Sequence, residues 1–412
     1  MTNGTTREAL VRRLRDEMAA MPVLDTHEHF TPEPYHLTNR YNFYYWLMPY
    51  IQYDLVSVGM DPRHLWRPPA DEAEVDARFR EIRDLWPLVR NNSYARPFRM
   101  ALKEFYGEDD LTEANYRELG RRMDETRYPG RYREILQERC GIRGILNQTG
   151  AFDYGDPFMR GSVGLVNRIV EPEIRKFLDA RPDAGLDDLA DDIRAHIDAA
   201  KAGGAILAKF DASSFLVPPD RKAAEAEFGE VRKGAPLRIG ALSCWLYEQA
   251  LAKVGEVGLV AAVHTGVWGD INYKKPELLF PVVERHRNVT FDIYHMGMPY
   301  TAACGFLGKN YPNAYLNLCW SHIVSERMTV HALDEWMDYV PMSKIFGFGG
   351  DFNTMPENIW AHLEIARENF AEVMADRILR GRLDLDEALR ILRAWFFDNP
   401  VRVYGWKGVE PA

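Results

Sequence analysis

The sequence alternates short apolar segments with longer segments of helical character. Eight short segments are apolar or rich in β-branched residues, at 22–27, 142–148, 162–170, 204–210, 258–264, 288–295, 313–320 and 344–350. Helical periodicity between them is clearest over 275–286, 331–340, 357–379 and 385–397. Parallel strands covered by helices on both faces have this continuous apolar character. The pattern predicts an α/β fold, and eight strands predict a (β/α)8 TIM barrel. A doubly wound sheet with fewer strands is the alternative.

The spacing of these segments predicts how the chain is divided. Residues 1–21 are expected to form an N-terminal helix, and residues 22–412 a single barrel domain. The long interval between the first two strands predicts a large helical insertion after strand 1, over residues 31–140. An insertion there would cover the C-terminal mouth of a barrel, where substrates bind. Most rings of its aromatic run, 41–53, are expected to pack the insertion onto the barrel.

Composition excludes several classes of partner. The net charge of -10 gives no electrostatic reason to expect nucleic acid or an anionic membrane as a partner, because such partners need a clustered positive surface. The N-terminus lacks the apolar core of a signal peptide, and no apolar stretch of about 20 residues follows. The four cysteines are widely scattered, as in proteins of a reducing compartment. We therefore expect a cytoplasmic protein that acts on a small molecule, with a homo-oligomer as one alternative for its assembly.

Two histidines mark the end of the first predicted strand, in the segment VLDTHEHF. Side chains two residues apart on a strand share one face, so His27 and His29 would project together while Glu28 points away. This is the geometry of a metal-binding pair. Two nearby histidines also occur by chance or at helix caps, so the pair carries weight only in combination with the other strand ends.

Three later strands also end in groups that bind metals. His264 ends the fifth predicted strand, His295 ends the sixth, and Asp351 follows the eighth. In a barrel all of these side chains would meet at one mouth. Imidazoles with a carboxylate suit zinc, or manganese or iron, as one or two ions with a position open for water. A metal lowers the pKa of bound water toward about 7 and polarises a carbonyl, so hydrolysis of an amide or ester is the default chemistry. Asp351 could take the proton from that water.

Several segments carry a resemblance to a known family. They are residues 25–30, 204–213, 263–271, 293–300, 311–320, 344–357 and 398–406. Through these the chain resembles the amidohydrolase superfamily, and within it the amidohydrolase-2 type of TIM-barrel metal-dependent hydrolase. The later segments are also similar to the amidohydrolase-like domain of glutamine synthetase fusions. The similarity to uronate isomerases and to ACMSD-like decarboxylases is more distant.

The resemblance implies roles for individual residues. His27, His29, His264 and Asp351 match metal ligands of the family, and Asp351 and His295 match its catalytic positions. His295 is a ligand in members with two metals and contacts the substrate or supports the site in some with one.

Three residues are predicted to bind substrate. Lys209 matches a strand-four lysine that is either carboxylated between two metals or in contact with a substrate carboxylate. Trp268 and Trp320 follow predicted strands and are expected to line the pocket, with packing as the alternative.

The predicted function is metal-dependent hydrolysis of a C–N or ester bond in a small, polar, carboxylated substrate. Isomerisation of a uronate or non-oxidative decarboxylation at the same site is the alternative, because a fold does not fix a reaction. A scaffold that has lost activity is disfavoured because the complete set of predicted ligands is present. A dinucleotide-dependent oxidoreductase is disfavoured because DTHEHF stands where a GxGxxG motif would follow the first strand.

Overall fold

The computed structural model describes residues 6–48, 50–148, 154–267 and 269–408. The strands within these residues are β1 (Val23–Glu28), β2 (Ile142–Asn147), β3 (Met159–Gly161), β4 (Val163–Gly164), β5 (Leu207–Asp211), β6 (Val260–His264), β7 (Thr290–Ile293), β8 (Ala314–Asn317) and β9 (Ile345–Phe346).

The α-helices in the first half of the chain are α1 (Arg7–Ala19), α2 (Glu33–Thr38), α3 (Phe43–Leu47), α4 (Ile51–Ser57), α5 (Glu72–Arg83), α6 (Trp86–Val89), α7 (Ala95–Ala101), α8 (Tyr116–Glu125), α9 (Leu165–Arg168), α10 (Glu171–Ala180) and α11 (Leu186–Ala202). Those in the second half are α12 (Arg221–Arg232), α13 (Ala241–Glu256), α14 (Phe280–Arg285), α15 (Thr301–Asn310), α16 (Ser321–Val324), α17 (Glu326–Trp336), α18 (Pro356–Leu379), α19 (Leu385–Arg393) and α20 (Asn399–Tyr404). Short 3₁₀ or π-helical segments occupy Pro62–His64, Leu102–Tyr106, Arg133–Arg139, Ala212–Phe215, Ile271–Tyr273, Pro276–Leu279, Tyr294–Gly297, Met342–Lys344 and Ala394–Asp398.

The strands form two parallel sheets. β1, β2 and β3 pair in that order, and β4 to β9 pair in chain order. Ser162 alone separates β3 from β4, and its backbone N–H donates to the carbonyl of Asn147 at 2.8 Å. β1 also shares backbone hydrogen bonds with residues 348–352, which follow β9. These bonds run from Thr26 to Phe348 (3.2 Å), from Asp351 to His27 (2.8 Å) and from His29 to Phe352 (2.9 Å).

The α/β fold with parallel strands is confirmed, but the third predicted strand is wrong in its extent. Residues 162–170 were expected to be extended, whereas only Val163–Gly164 form a strand there and the chain then enters α9. Leu165 and Ile169 are both buried. Residues four apart lie on the same face of a helix, so a helical turn buries both side chains together. The apolar run is therefore compatible with a helix as well as with a strand. Pairing with β2 is made instead by β3, upstream of the predicted segment.

Three clusters of buried side chains stabilise these elements. The largest lies between the strands and the helices that follow them. A second, around Phe43 and Trp46, fills the helical region between β1 and β2. The third joins strand residues such as Leu24 and Leu207 to Trp406 near the C-terminus. No helix in the described part of the chain combines the length and apolarity that a membrane crossing requires.

Candidate functional site

Two histidines of the candidate site come from the first strand and its end, and its carboxylate comes from the turn after β9. His27 lies within β1 and is 1% exposed, whereas His29 follows the strand with 41% of its side chain exposed. Asp351 has a left-handed backbone conformation, with φ of 61°. A Cβ atom at Gly349 would lie 2.6 Å from Cβ of Cys319 and 3.0 Å from Cβ of His27. Glycine at 349 therefore allows the chain before Asp351 to approach β1 closely.

Three imidazoles converge on the carboxylate of Asp351. Nε2 of His27 lies 3.1 Å from Oδ1 of Asp351, and Nε2 of His29 lies 3.3 Å from the same oxygen. Nε2 of His295 lies 3.9 Å from Oδ2. Ligand atoms of His27, His295 and Asp351 all lie within 4.8 Å of one another. The predicted residues of strands one, six and eight are thus brought together.

His264 joins this group through His295. Nδ1 of His264 lies 2.9 Å from Nε2 of His295. The other nitrogen of each ring faces a backbone carbonyl. Nε2 of His264 lies 2.9 Å from the carbonyl oxygen of Val267, and Nδ1 of His295 lies 3.0 Å from the carbonyl oxygen of Cys319. If both of these nitrogens donate, the facing nitrogens carry two opposed lone pairs. Such a pair of facing acceptors can share a cation, and carbonyl partners of this kind commonly orient metal-binding histidines.

The charge states of these groups suit a divalent cation. Burial lowers the pKa of His27 and of His295 well below the usual range, which keeps both rings neutral. Burial works against ionisation of Asp351, but its contacts with His27 and His29 hold its pKa well below the usual value. Neutral imidazoles around an ionised carboxylate are the ligands that zinc and related ions prefer. The residues present therefore fit the metal that the sequence predicts.

Two acidic residues of β1 stabilise the site through hydrogen bonds to the backbone beside the proposed ligands. Oδ1 of Asp25 accepts from the backbone N–H of His27 at 3.2 Å, and Oε2 of Glu28 accepts from that of Phe352 at 2.7 Å. Burial raises the pKa of Asp25 to about 7 and that of Glu28 well above its usual value. Sequence reasoning placed Glu28 away from the metal face and missed this supporting role. The alternation of acids with histidines in DTHE was the available signal.

A cavity of about 550 Å³ opens over these groups. Its lining residues include most of the predicted site. They are His27, His29, Tyr50, Trp66, Val166, Lys209, Phe210, Asp211, His264, Lys274, Trp320, Asp351 and Asn353. Lys274 forms an ion pair with Asp211. Trp268, predicted to bind substrate, lies outside the described residues.

Lys209 is a buried cation in the wall of this cavity. Its side chain is 7% exposed, and Nζ makes no hydrogen bond to any described residue. The ammonium group lies 4.3 Å from the ring centroid of Tyr294. Burial lowers the pKa of Lys209 to about 8, which still leaves it mainly charged at neutral pH. Attraction to Asp351 raises the pKa of Lys209 against the effect of burial, but no described group accepts a hydrogen bond from Nζ, so the site can accept an anion there.

Aromatic rings form another part of the wall. The ring centroid of Trp320 lies 4.5 Å from the ring centroid of Tyr50 and 6.0 Å from the ring centroid of Tyr94. Trp66 lines the cavity while remaining 39% exposed, with Nε1–H donating to the hydroxyl of Tyr53 at 2.8 Å. Trp320 was predicted to line the pocket. Tyr50 was missed because the rings of the aromatic run 41–53 were expected mostly to pack, and Trp66 was not singled out.

Two histidines on helices, His36 and His362, are buried. His36 is 2% exposed and lies 3.0 Å from the hydroxyl of Tyr41. His362 is fully buried on α18, and its Nδ1 lies 3.1 Å from the carbonyl of Gly350. From sequence alone a histidine on a helix is predicted to be exposed, because that is the average preference. Here tertiary packing provides the polar partners that allow both histidines to be buried.

Comparison with known proteins places the chain in a family. A model of the amidohydrolase family matches residues 173–406, more than half of the chain. The chain belongs to the amidohydrolase family. This amidohydrolase is 29% identical over 172 residues to the protein fluG of Emericella nidulans, an alignment that covers 40% of the chain. It spans only 20% of that relative's length.

Solved structures resemble the amidohydrolase over almost its whole length. Glucuronate isomerase of Caulobacter crescentus has a TM-score of 0.75 at 15% identity. The alignment covers 100% of this chain and 96% of the isomerase chain. Uronate isomerase of Thermotoga maritima has a TM-score of 0.75 at 12% identity, covering 98% and 100%. A protein of Lactobacillus casei assigned as a metal-dependent hydrolase has a TM-score of 0.64 at 17% identity, covering 97% and 99%. At these identities the likeness concerns the fold. With the family match, it identifies the chain as an enzyme of the amidohydrolase superfamily.

Proposed function

We propose that the protein is a metal-dependent hydrolase that cleaves a C–N or ester bond of a small, polar, carboxylated substrate. One observation carries this proposal: three imidazoles converge on the Asp351 carboxylate, which lines a cavity whose wall also holds the buried ammonium of Lys209. A metal site beside a cationic pocket combines water activation with recognition of an acid.

The fold proposed with this function is one (β/α)8 barrel domain carrying a helical insertion. β3 and β4, separated only by Ser162, count as one bent strand, which leaves eight. The hydrogen bonds from β1 to the residues after β9 would then join the last strand to the first. In such a barrel every carboxyl-terminal strand end faces the same mouth, as catalysis from several strands requires.

The proposed ligands are His27, His29, His264 and Asp351, and the position of His295 adds it to the set. The metal, one or two ions with zinc first and manganese or iron as alternatives, would supply hydroxide at neutral pH and polarise the scissile carbonyl. The Asp351 carboxylate would hold the proton released from water and return it to the leaving group. The carbonyls of Val267 and Cys319 would fix the ring orientations of the two later histidines.

Isomerisation of a uronate is the second candidate. It is favoured by the likeness of two uronate isomerases over nearly the full chain. Decarboxylation would use the same metal and carboxylate pocket. The mass of the product separates the three reactions, because hydrolysis adds water, isomerisation leaves the mass unchanged and decarboxylation loses carbon dioxide.

The first experiment is elemental analysis of the protein purified without chelator or histidine tag. We expect about one or two equivalents of a transition metal, lost when His27→Ala and His29→Ala are combined while circular dichroism stays unchanged. His331→Ala, at an exposed histidine on α17, is the control and should keep the metal. A wild-type protein that stays empty after incubation with zinc, manganese and iron would overturn the ligand assignment. Amides, esters and uronates are then screened by product mass.

A further inference from the structure

A second cavity lies beside the main cavity, the one that holds the candidate site. Its volume is about 340 Å³, which is within the range of cavities that bind small molecules. We call it the side cavity. Most of its lining side chains are apolar, and they are Val166, Ile169, Val170, Leu237, Ile239 and Tyr247.

The two cavities adjoin each other at the ends of β4 and β5. Val166 and Asp211 line both of them. β4 and β5 pair with Gly164 opposite Lys209. Val166 and Asp211 each lie two residues further along the chain, toward the same edge of the sheet. A ligand seated in the main cavity therefore reaches the side cavity by passing these two side chains.

The carboxylate at this boundary is already paired. Oδ1 of Asp211 accepts from the backbone N–H of Ser213 at 2.8 Å and from its hydroxyl at 2.6 Å. Oδ2 of Asp211 forms an ion pair with Lys274, which offsets its charge. Val166 provides the apolar part of the boundary. An uncharged chain can pass there without displacing a partner of Asp211.

Two polar side chains of the side cavity also have partners within the protein. The Glu171 carboxylate accepts from Nε of Arg175 at 2.8 Å and from the backbone N–H of Leu237 at 3.1 Å. The hydroxyl of Ser243 donates to the backbone carbonyl of Arg238 at 3.1 Å. A polar ligand group gains little at these positions, because it would replace hydrogen bonds that are already made.

Apolar surface in the side cavity is left partly uncovered. Ile239, between α12 and α13, is 50% exposed, and Val170 and Leu237 are half-buried. Removing apolar surface from water is favourable roughly in proportion to its area. The wall of the side cavity is thus suited to an aliphatic group of a ligand.

We propose that the side cavity is a subsite for an aliphatic arm of the substrate. The arm extends from the reacting bond in the main cavity, past Val166 and Asp211, to Ile239. This inference rests on the proposed function for the position of the reacting bond. The side cavity then selects substrates by the length of the chain on one side of that bond.

Probes with a fixed head group and a growing chain test the proposal without requiring activity. Acetohydroxamate, butyrohydroxamate, hexanohydroxamate and octanohydroxamate, whose head group chelates zinc, are titrated by calorimetry into the zinc-loaded protein. Each added methylene should tighten binding by about threefold until the side cavity is filled. Equal affinities along the series would overturn the subsite.

Substitutions at Ile239 locate the chain. Ile239→Trp fills part of the side cavity and Ile239→Asp places a charge in it, so both should weaken hexanohydroxamate binding by at least about fivefold and leave acetohydroxamate binding unchanged. The position is half-exposed, so both replacements should fold, which circular dichroism checks. Leu88→Trp, at a leucine on α6 that is 63% exposed, is the matched control and should keep the wild-type series. A chain-length dependence that survives both Ile239 variants would overturn the assignment.

Primary alcohols from ethanol to octanol separate failure of this inference from failure of the proposed function, because their binding needs no metal. A protein that binds no metal, but whose preference for long alcohols is lost in the Ile239 variants, would overturn the proposed function and support the aliphatic site. If alcohol binding depends on Ile239 while the hydroxamate series stays flat on the zinc-loaded protein, the side cavity lies beyond the reach of the substrate. That result would overturn its role as a subsite.

Discussion

Several residues of the site adopt backbone conformations that are unfavourable for their side chains. Positive φ values occur at Tyr50 (83°), His295 (66°), Trp320 (61°) and Asp351 (61°). Tyr50 contacts Asp351, and Trp320 contacts His295. Such conformations cost free energy and persist only where the surrounding structure determines them. Asp and Asn tolerate the left-handed region better than most residues. This makes Asp351 suitable for a turn that must also present a carboxylate.

Replacing Asp351 separates its charge from its backbone role. Asp351→Asn keeps the tolerance for positive φ but removes the charge, so we expect metal affinity to fall by more than about 100-fold with little change in folding. Asp351→Ala should lose the same affinity and be less stable than the Asn variant by about 1 kcal/mol. Metal titration and urea unfolding measure the two effects. Equal stability of the two variants would contradict the backbone argument.

Gly350 is predicted to be intolerant of any side chain. A Cβ atom there would lie 2.0 Å from Oε1 of Glu28, which is itself buried and holds Phe352. Gly350→Ala should therefore cost about 1–3 kcal/mol and loosen the Asp351 turn. Gly229→Ala on α12 is the control, because its Cβ would meet nothing within 4 Å and a helical alanine is favourable by about 0.5–1 kcal/mol. Denaturant unfolding compares them, and similar free energies of unfolding would refute the steric argument.

At the scale of elements, the helical region between β1 and β2 is tied to the turn that carries Asp351. Tyr50 lies between α3 and α4, and its hydroxyl donates to the backbone carbonyl of Asp351. Its ring packs on Trp320, which follows β8. The region thus helps to position a proposed ligand as well as to line the cavity.

Removing that hydroxyl tests the connection. Tyr50→Phe keeps the ring but leaves a buried carbonyl short of a donor, so we expect a loss of about 1–2 kcal/mol in the free energy of unfolding and weaker metal binding. Tyr35→Phe removes the hydroxyl of a tyrosine that is 67% exposed and should be neutral. If both variants match wild type in urea unfolding and metal titration, the bond contributes nothing to the site.

At the scale of the whole molecule, the C-terminal helix is joined to the strands below the site. Oδ2 of Asp292 on β7 accepts from the hydroxyl of Tyr404 on α20 and from Nδ2 of Asn317 on β8 at 2.9 Å. All three side chains are buried. Burial raises the pKa of Asp292 to about 7.

This raised pKa predicts a pH dependence of stability. Folded Asp292 keeps its proton up to about pH 7, whereas the unfolded chain releases it near pH 3.9. Stability from this group is therefore present at low pH and is lost as pH rises toward 7. Between about pH 5 and about pH 8, Asp292→Asn should gain more than about 1 kcal/mol relative to wild type. Urea unfolding in excess chelator measures this, and a difference independent of pH would contradict it.

Much of the chain could be read from local pattern. Continuous apolar segments predicted parallel strands because burial on both faces excludes polar residues, and β1, β2 and β5 to β9 lie within or close to the predicted segments. The alternation of side chains in β1 predicted that His27 and His29 share a face. Local pattern fails at 162–170, where the same apolar run is compatible with a strand and with a helix. Which segment becomes the strand depends on pairing with β2, which is made by β3 instead.

The sequence by itself determined the α/β class, the chemical types at the strand ends and the family resemblance, because these depend on residue identity and short spacing. Only the tertiary structure decided the distances from three imidazoles to Asp351, the entry of Tyr50 and Trp66 into the cavity, and the burial of Lys209 without a partner among the described residues. Each of these joins segments far apart in the chain. Their contacts depend on how the elements pack, and no local pattern encodes that.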